Sequence, residues 1–302
     1  MRMVSKCLLT LFAATTVVAH AQPLRIFACE PEWAALVRVL APDAEVSSAT
    51  HVLQDPHHIE ARPALIGQLR RADLAVCTGA SLEAGWLPML QQRAANPAVQ
   101  MGKPGLFFAA EQVKLIGIPE QVDRSNGDVH AEGNPHLHLD PHRLQEVAAA
   151  LAERLAHLDP TGAPAYRQRY LQWADRWQQR MAGWQSRAAS LRGQPVVAQH
   201  SSFAYLWAWL GLRQSADLEP KPGLPPSPGH LQQVLSRVRS ELPLAVVQTS
   251  YQNPQPGEWL ARQTGRPLLA LPATVMSEGP AATLDGWFTR LIDQLLSAST
   301  PS

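Results

Sequence analysis

AYRQRYLQWADRWQQRMAGWQSRAASL, residues 165–191, contains no proline and one glycine, Gly183. Tyr166, Tyr170, Trp173, Trp177, Met181, Trp184 and Leu191 recur along it at spacings of three, four or seven. That period predicts one helix of roughly 27 residues and about 40 Å, with an aromatic stripe for packing against what lies on either side. Such a helix is a stiff strut rather than a hinge. Short apolar runs alternate with amphipathic stretches both before and after it, the pattern of α/β units with parallel strands. The fold expected is therefore α/β, two (βα) lobes with parallel sheets joined by one long rigid helix.

Working outward toward the N-terminus, strands are expected at Leu24–Ala28, Glu45–Ser48 and Leu74–Cys77. Helices are expected from about Pro31 to Leu40, from Pro63 through Leu69, over Ser81–Arg93 and over Leu144–Leu155. Ser81 is placed to cap the third of these, and Pro88 to break or kink it. Residues 127–141 form a polar loop. Toward the C-terminus, Val196–Ala198, Leu244–Val247 and Leu268–Leu271 read as strands. Phe203–Leu210, Pro228–Arg239, Gly257–Gln263 and Thr283–Ser297 read as helices, and the proline-rich segment Glu219–Pro228 as a structured surface loop. The domain division that follows is residues 22–160, the helix 161–192, and residues 193–302.

The first residues decide the compartment. Arg2 and Lys6 precede a largely apolar run from Leu8 to Ala19, then Ala19-His20-Ala21, a small-x-small cleavage pattern. Residues 1–21 thus read as a secretory signal peptide, cut after Ala21, and the destination as the bacterial periplasm. The run is too short to span a bilayer, and Cys7 lies ahead of it, badly placed for lipidation. Removal takes two cations and no anion from a chain of formal net charge +1, so the remainder is near neutral. It has no basic stripe for nucleic acid. Two cysteines remain, Cys29 and Cys77, which in an oxidising compartment can form one bridge; sequence does not give their geometry.

Ten histidines survive the cut. His57, His136 and His200 sit where a strand or loop feeds a helix, in Asp55-Pro56-His57, Asn134-Pro135-His136 and Gln199-His200-Ser201. Ligands of open α/β sheets collect at the carboxyl ends of strands, where those junctions fall. A preceding proline restricts the backbone and pre-aims the imidazole, and neutral imidazole suits borderline divalent ions. A lone Pro-His pair is more often structural; two pairs and a post-strand histidine favour a metal site. His142 and His157 lie at the two ends of one helix and His51 and His230 at the surface, while His58, His130 and His138 are near enough to be a further ligand or to support one.

At these residues the chain resembles the metal-specific solute-binding proteins of zinc and manganese ABC importers, cluster A-I, the periplasmic zinc-binding protein family. Asp55-Pro56-His57-His58-Ile59-Glu60-Ala61-Arg62-Pro63 is similar to the family's first ligand motif, and Asn134-Pro135-His136-Leu137-His138-Leu139-Asp140-Pro141 to its second. His200-Ser201-Ser202-Phe203-Ala204-Tyr205 resembles the third, and Thr264-Gly265 before an apolar strand the start of the last. The resemblance implies a metal site in the cleft between the lobes, His57 and His136 from the first and His200 from the second, with little movement on binding. It implies a periplasmic protein that captures a divalent ion and delivers it to an ABC transporter permease and its ATPase; a monomer is the default expectation, and with no helical His-Glu-x-x-His in the chain an enzyme is not expected.

The chain departs from the family where relatives carry an Asp after the last strand; here Leu269-Ala270-Leu271-Pro272-Ala273 stands. Gln248-Thr249-Ser250 occupies another acidic position of the family. The fourth position is therefore open, held by water, or supplied by Glu60, His58, His130 or His138. Three imidazoles suit zinc, Zn2+, over manganese, which prefers oxygen donors. Ligation needs neutral histidines, so binding is expected to weaken below about pH 6.5. The family likeness also places the strands ending at Cys29 and Cys77 close together, which implies a disulfide. Two other readings use the same residues: an exported metallochaperone or adhesin-like zinc-binding module without a permease, and a zinc hydrolase with Glu60 as general base.

Overall fold

The computed structural model describes residues 22–119 and 130–299, so the expected signal peptide, residues 1–21, lies outside the described residues. Among the described residues, eight strands form two four-stranded, wholly parallel sheets. The first is ordered β2-β1-β3-β4, from β1 (Arg25–Ala28), β2 (Glu45–Ser48), β3 (Leu74–Cys77) and β4 (Leu106–Phe108). The second is ordered β6-β5-β7-β8, from β5 (Pro195–Ala198), β6 (Arg213–Asp217), β7 (Val246–Thr249) and β8 (Leu268–Leu271). Parallel strands need crossovers, and α1 (Pro31–Leu40), α2 (Pro63–Arg71), α3 (Leu87–Ala94), α6 (Ala204–Leu210), α7 (Pro228–Val238) and α8 (Gln255–Thr264) lie between strands to provide them. Between the sheets in sequence run α4 (Pro141–Leu158) and α5 (Ala163–Arg187), and α9 (Leu284–Ser297) closes the chain. Among the described residues no helix is long and apolar enough to cross a membrane.

The 25 residues of α5 are the strut expected of the aromatic period, extended by a 3-10 turn at Ala188–Leu191. Trp173, Trp177 and Trp184 stack or pack edge-on in succession, and Phe288 of α9 meets both Trp177 and Trp184. Each buried indole N–H needs an acceptor: Trp177 donates to Pro141 O and Trp184 to Thr289 Oγ1. The core along this helix is continuous across both halves of the molecule, from Ile26 and Leu144 to Val196 and Ile292. Smaller cores cover the far face of each sheet.

Strand alternation sorts the residues of β1 and β3. Ile26, Ala28, Leu74 and Val76 face the shared core, whereas Phe27, Ala75, Cys29 and Cys77 face the outer one. Because β1 and β3 are adjacent and parallel, with Ala28 opposite Val76, the two cysteines are brought together just beyond that pair. They are joined by a disulfide across 4.8 Å between Cα atoms.

Three local expectations need correction. Helix α3 starts at Leu87, not Ser81, and Pro88 is in its first turn, where the missing N–H costs nothing. Residues 80–86 instead make turns, with Ala80 and Ser81 both left-handed at φ 48° and 62°. The buried Glu83 carboxylate holds them by accepting from the backbone N–H groups of Thr78 and Gly79. Strands β4 and β6 were not expected from sequence; each is an edge strand, β4 only three residues long and β6 mostly polar.

Candidate metal centre

The two Asx-Pro-His segments fold alike. In each, the side-chain oxygen of the first residue accepts the backbone N–H of the histidine two positions on, Asp55 from His57 at 3.0 Å and Asn134 from His136 at 2.9 Å. The turn fixes the backbone from which each imidazole projects. Asn134 also reaches across the cleft, giving its side-chain N–H to Ser201 O and taking the Tyr205 hydroxyl on its carbonyl. His200 follows β5 in extended conformation, immediately before the 3-10 turn Ser201–Phe203 that leads into α6.

These positions bring the three rings together. Ring centres lie 5.7 Å apart for His57 and His136, 5.9 Å for His136 and His200, and 6.2 Å for His57 and His200. Interplanar angles of 70–88° set them edge toward edge. Zinc–nitrogen bonds of about 2.0–2.1 Å in tetrahedral array put ring centres roughly 5 Å apart, so a closure of about an ångström suffices. His130 joins them, its Nε2 at 3.2 Å from the Nε2 of His57.

Partners on the far side of two rings decide which nitrogen is offered. His57 Nδ1 lies 2.7 Å from Asp55 Oδ1, and His200 Nδ1 lies 2.9 Å from Glu219 Oε2. A carboxylate can only accept, so each Nδ1 carries the proton and each Nε2 presents a lone pair. Burial pushes the Asp55 carboxyl up, but hydrogen bonds and charge from His57 outweigh it and hold the carboxyl below its usual range. His136 has no such carboxylate. It is only 3% exposed, and its Nε2 is buried with no hydrogen-bond partner among the described residues. Burial, then the neighbouring His57, His200, His138 and His130, hold its pKa well below the usual 6.5. A neutral imidazole with an unspent lone pair is the form a metal requires. A cavity of about 300 Å³, lined in part by His130, His136 and His200, opens beside the cluster.

The other expected donors separate. Glu60 and His58 are exposed. His58 packs at 6.2 Å from the His57 ring. His138 is buried but turned away: Nε2 lies 3.0 Å from Ala273 O, and Nδ1 lies 3.2 Å from Glu32 Oε1. Cys29, Cys77 and Glu83 have ligand-type atoms within 4.8 Å of one another, but both sulfurs are spent in the disulfide. His142 and His157 are exposed as expected. His51 is exposed too, while His230 is half-buried with Nε2 3.2 Å from Asp217 O. Sequence reasoning missed Glu219 and did not single out Asp55 as an orienting group. An acid two residues past the end of a strand was the available signal for Glu219, hidden because β6 itself was not recognised.

A family model described as zinc-uptake complex component A, periplasmic, matches residues 26–298. A crystal structure of ZnuA superposes with a TM-score of 0.77 at 20% identity, covering 92% of this chain and all of that one. Structures of a periplasmic metal-binding protein from Candidatus Liberibacter asiaticus, one cadmium-bound and one manganese-bound, superpose with TM-scores of 0.73 at 18% identity. Each covers 90% of this chain, which covers 98% of it. At these identities the superpositions carry the fold alone. The family model spans nearly all of the described chain, and the protein belongs to the zinc-uptake complex component A family of periplasmic metal-binding proteins.

Proposed function

We propose that the chain captures one zinc ion in the interlobe cleft through His57, His136 and His200 and passes it to the permease of an ATP-driven importer. The observation that carries this reading is the buried Nε2 of His136, without a hydrogen-bond partner among the described residues, beside two imidazoles whose Nδ1 protons are fixed by Asp55 and Glu219. His130 supplies the fourth donor, since its Nε2 is already 3.2 Å from that of His57. Four neutral imidazoles favour zinc over manganese. They also complete a tetrahedral shell and leave no position for an activated water, which favours carriage over hydrolysis. On the same reading residues 1–21 direct export, residues 22–160 and 193–302 form the lobes, residues 161–192 join them, and the carrier works as a monomer.

Metal analysis of the purified chain beside His57→Ala, His136→Ala and His200→Ala tests the site. Stoichiometric zinc in the parent and its loss from each variant, with folding intact, is the expected result. Retention of full zinc occupancy in all three would remove the assignment. Zinc-dependent stimulation of the importer's ATPase by the parent protein tests delivery.

A further inference from the structure

Asp55-Pro56-His57 and Asn134-Pro135-His136 share a turn but differ in its first residue. For capping alone the two residues are equivalent, because carboxylate and amide each offer an oxygen to the histidine N–H. What the amide adds is a donor. The Asp55 oxygen that caps its turn also holds Nδ1 of His57. Asn134 spends its second function across the cleft, with Nδ2 at 2.9 Å from Ser201 O. Chemistry dictates that orientation. The His136 N–H needs an acceptor and the Ser201 carbonyl needs a donor, so the amide oxygen and nitrogen cannot trade places.

One side chain thus stands between ligands of opposite lobes. Asn134 precedes His136 by two residues, and Ser201 directly follows His200. A second tie fixes the same residue. The Tyr205 hydroxyl, from α6, donates to Asn134 O at 2.7 Å and accepts the Ile116 N–H at 3.1 Å. Tyr205 is buried, and the Arg143 guanidinium lies 5.0 Å from its ring centre. Arg143 is itself anchored in the first lobe, on Lys114 O and the Asp140 carboxylate. Asn134, His136, His200 and Ser201 line one cavity, so the bridge forms part of the wall beside the imidazoles.

On the reading that zinc binds His57, His136 and His200, we propose that Asn134 is a positioning residue which, with Tyr205, links His136 to His200 across the cleft and assembles the ligands before the ion arrives. An ion entering a site already in register does not have to order the two lobes, and the saving appears as affinity. Aspartate at 134 would keep the turn and break the bridge. Its oxygen has no proton for Ser201 O and would face it as acceptor against acceptor. Charge alone argues the other way, since an added anion near a cation should tighten it. The sign of the effect therefore separates a bridge from plain electrostatics.

The test is zinc affinity at neutral pH, by competition with a chelator of known affinity, for the parent, Asn134→Asp, Tyr205→Phe and Thr289→Val. Urea unfolding of each metal-stripped protein is measured alongside. Tyr205→Phe keeps the ring and removes only the hydroxyl. Thr289→Val removes the acceptor of the Trp184 indole N–H, a bond between α5 and α9, which carry none of the histidines. Asn134→Asp and Tyr205→Phe should each weaken zinc about tenfold, whereas Thr289→Val should lose stability and bind zinc as the parent does. If Asn134→Asp fails to fold, Tyr205→Phe against Thr289→Val decides. Parent-like or tighter zinc binding by either cleft variant overturns the proposal and leaves the histidine site standing. So does Thr289→Val weakening zinc as much as they do. A parent that takes up no zinc overturns both.

Discussion

Asp55 and Glu219 touch the site only through the far nitrogens of His57 and His200. Removing their charge should leave the ligands present but less basic and free to rotate or change tautomer. Loss of such an orienting carboxylate typically lowers metal affinity about 10–100-fold. Asp55→Asn and Glu219→Gln are each expected to weaken zinc by that factor in competition with a chelator of known affinity, with the metal-free melting temperature little changed. Affinities equal to the parent would show that burial alone orients the rings. His57, His136 and His200 were legible in the sequence because proline or a strand end marks each. The role of His138 was not: its partners, Glu32 and Ala273, lie 106 and 135 positions away, and only the folded sheets bring them together. Glu60 looked as good a donor as any, but the local chain turns it to solvent.

Long periodic elements were readable and short edge elements were not. The seven aromatic and apolar positions of α5 leave one register possible, whereas Leu106–Phe108 and Arg213–Asp217 are defined by pairing with β3 and β5 rather than by any pattern of their own. Two element-scale expectations follow from packing. Gly183 lies mid-helix on the exposed face of α5, and a Cβ there meets nothing within 4 Å. Gly183→Ala should therefore stabilise by about 0.5–1 kcal/mol in urea unfolding, by removing freedom from the unfolded chain. A destabilised variant would mean that the helix is distorted at that point. The disulfide between β1 and β3 links residues 48 apart in sequence. On chain-entropy grounds closing that loop is worth about 4 kcal/mol. The Cys29→Ser/Cys77→Ser variant should lose stability of that order. It should retain zinc binding, because the sulfurs face the outer core and not the cleft. Unchanged stability would mean that the unfolded chain is already constrained there.

Across the whole molecule, one apolar core runs through both lobes along α5, and polar links such as Asn134 to Ser201 and Thr274 to Glu32 close the cleft from either side. Lobes so joined should unfold together, so a local ionisation is felt in the stability of the entire chain. The buried carboxylates give that a sign. Burial, then the charge of Glu83 and Glu32, raises Glu30 well above its ordinary 4.5, and burial pushes Glu83 up to about 7. In the unfolded chain both titrate near 4.5. Above that value the folded, metal-free chain keeps protons that the unfolded chain has shed, so these groups make stability fall as pH rises toward 7. His136 acts in the opposite sense. Its folded pKa lies below 6.5, so its contribution is intact above that pH and is lost as pH falls below it. Glu30→Gln separates the two, because the amide can still accept from Thr78 Oγ1 but no longer titrates. Urea unfolding of the chelator-treated proteins between pH 5 and 7 should give the variant a more positive slope of stability against pH, by up to about 1.4 kcal/mol per unit for one proton. Parallel slopes for parent and variant would show that Glu30 is already ionised in the folded chain, and that its charge is balanced by something other than a proton.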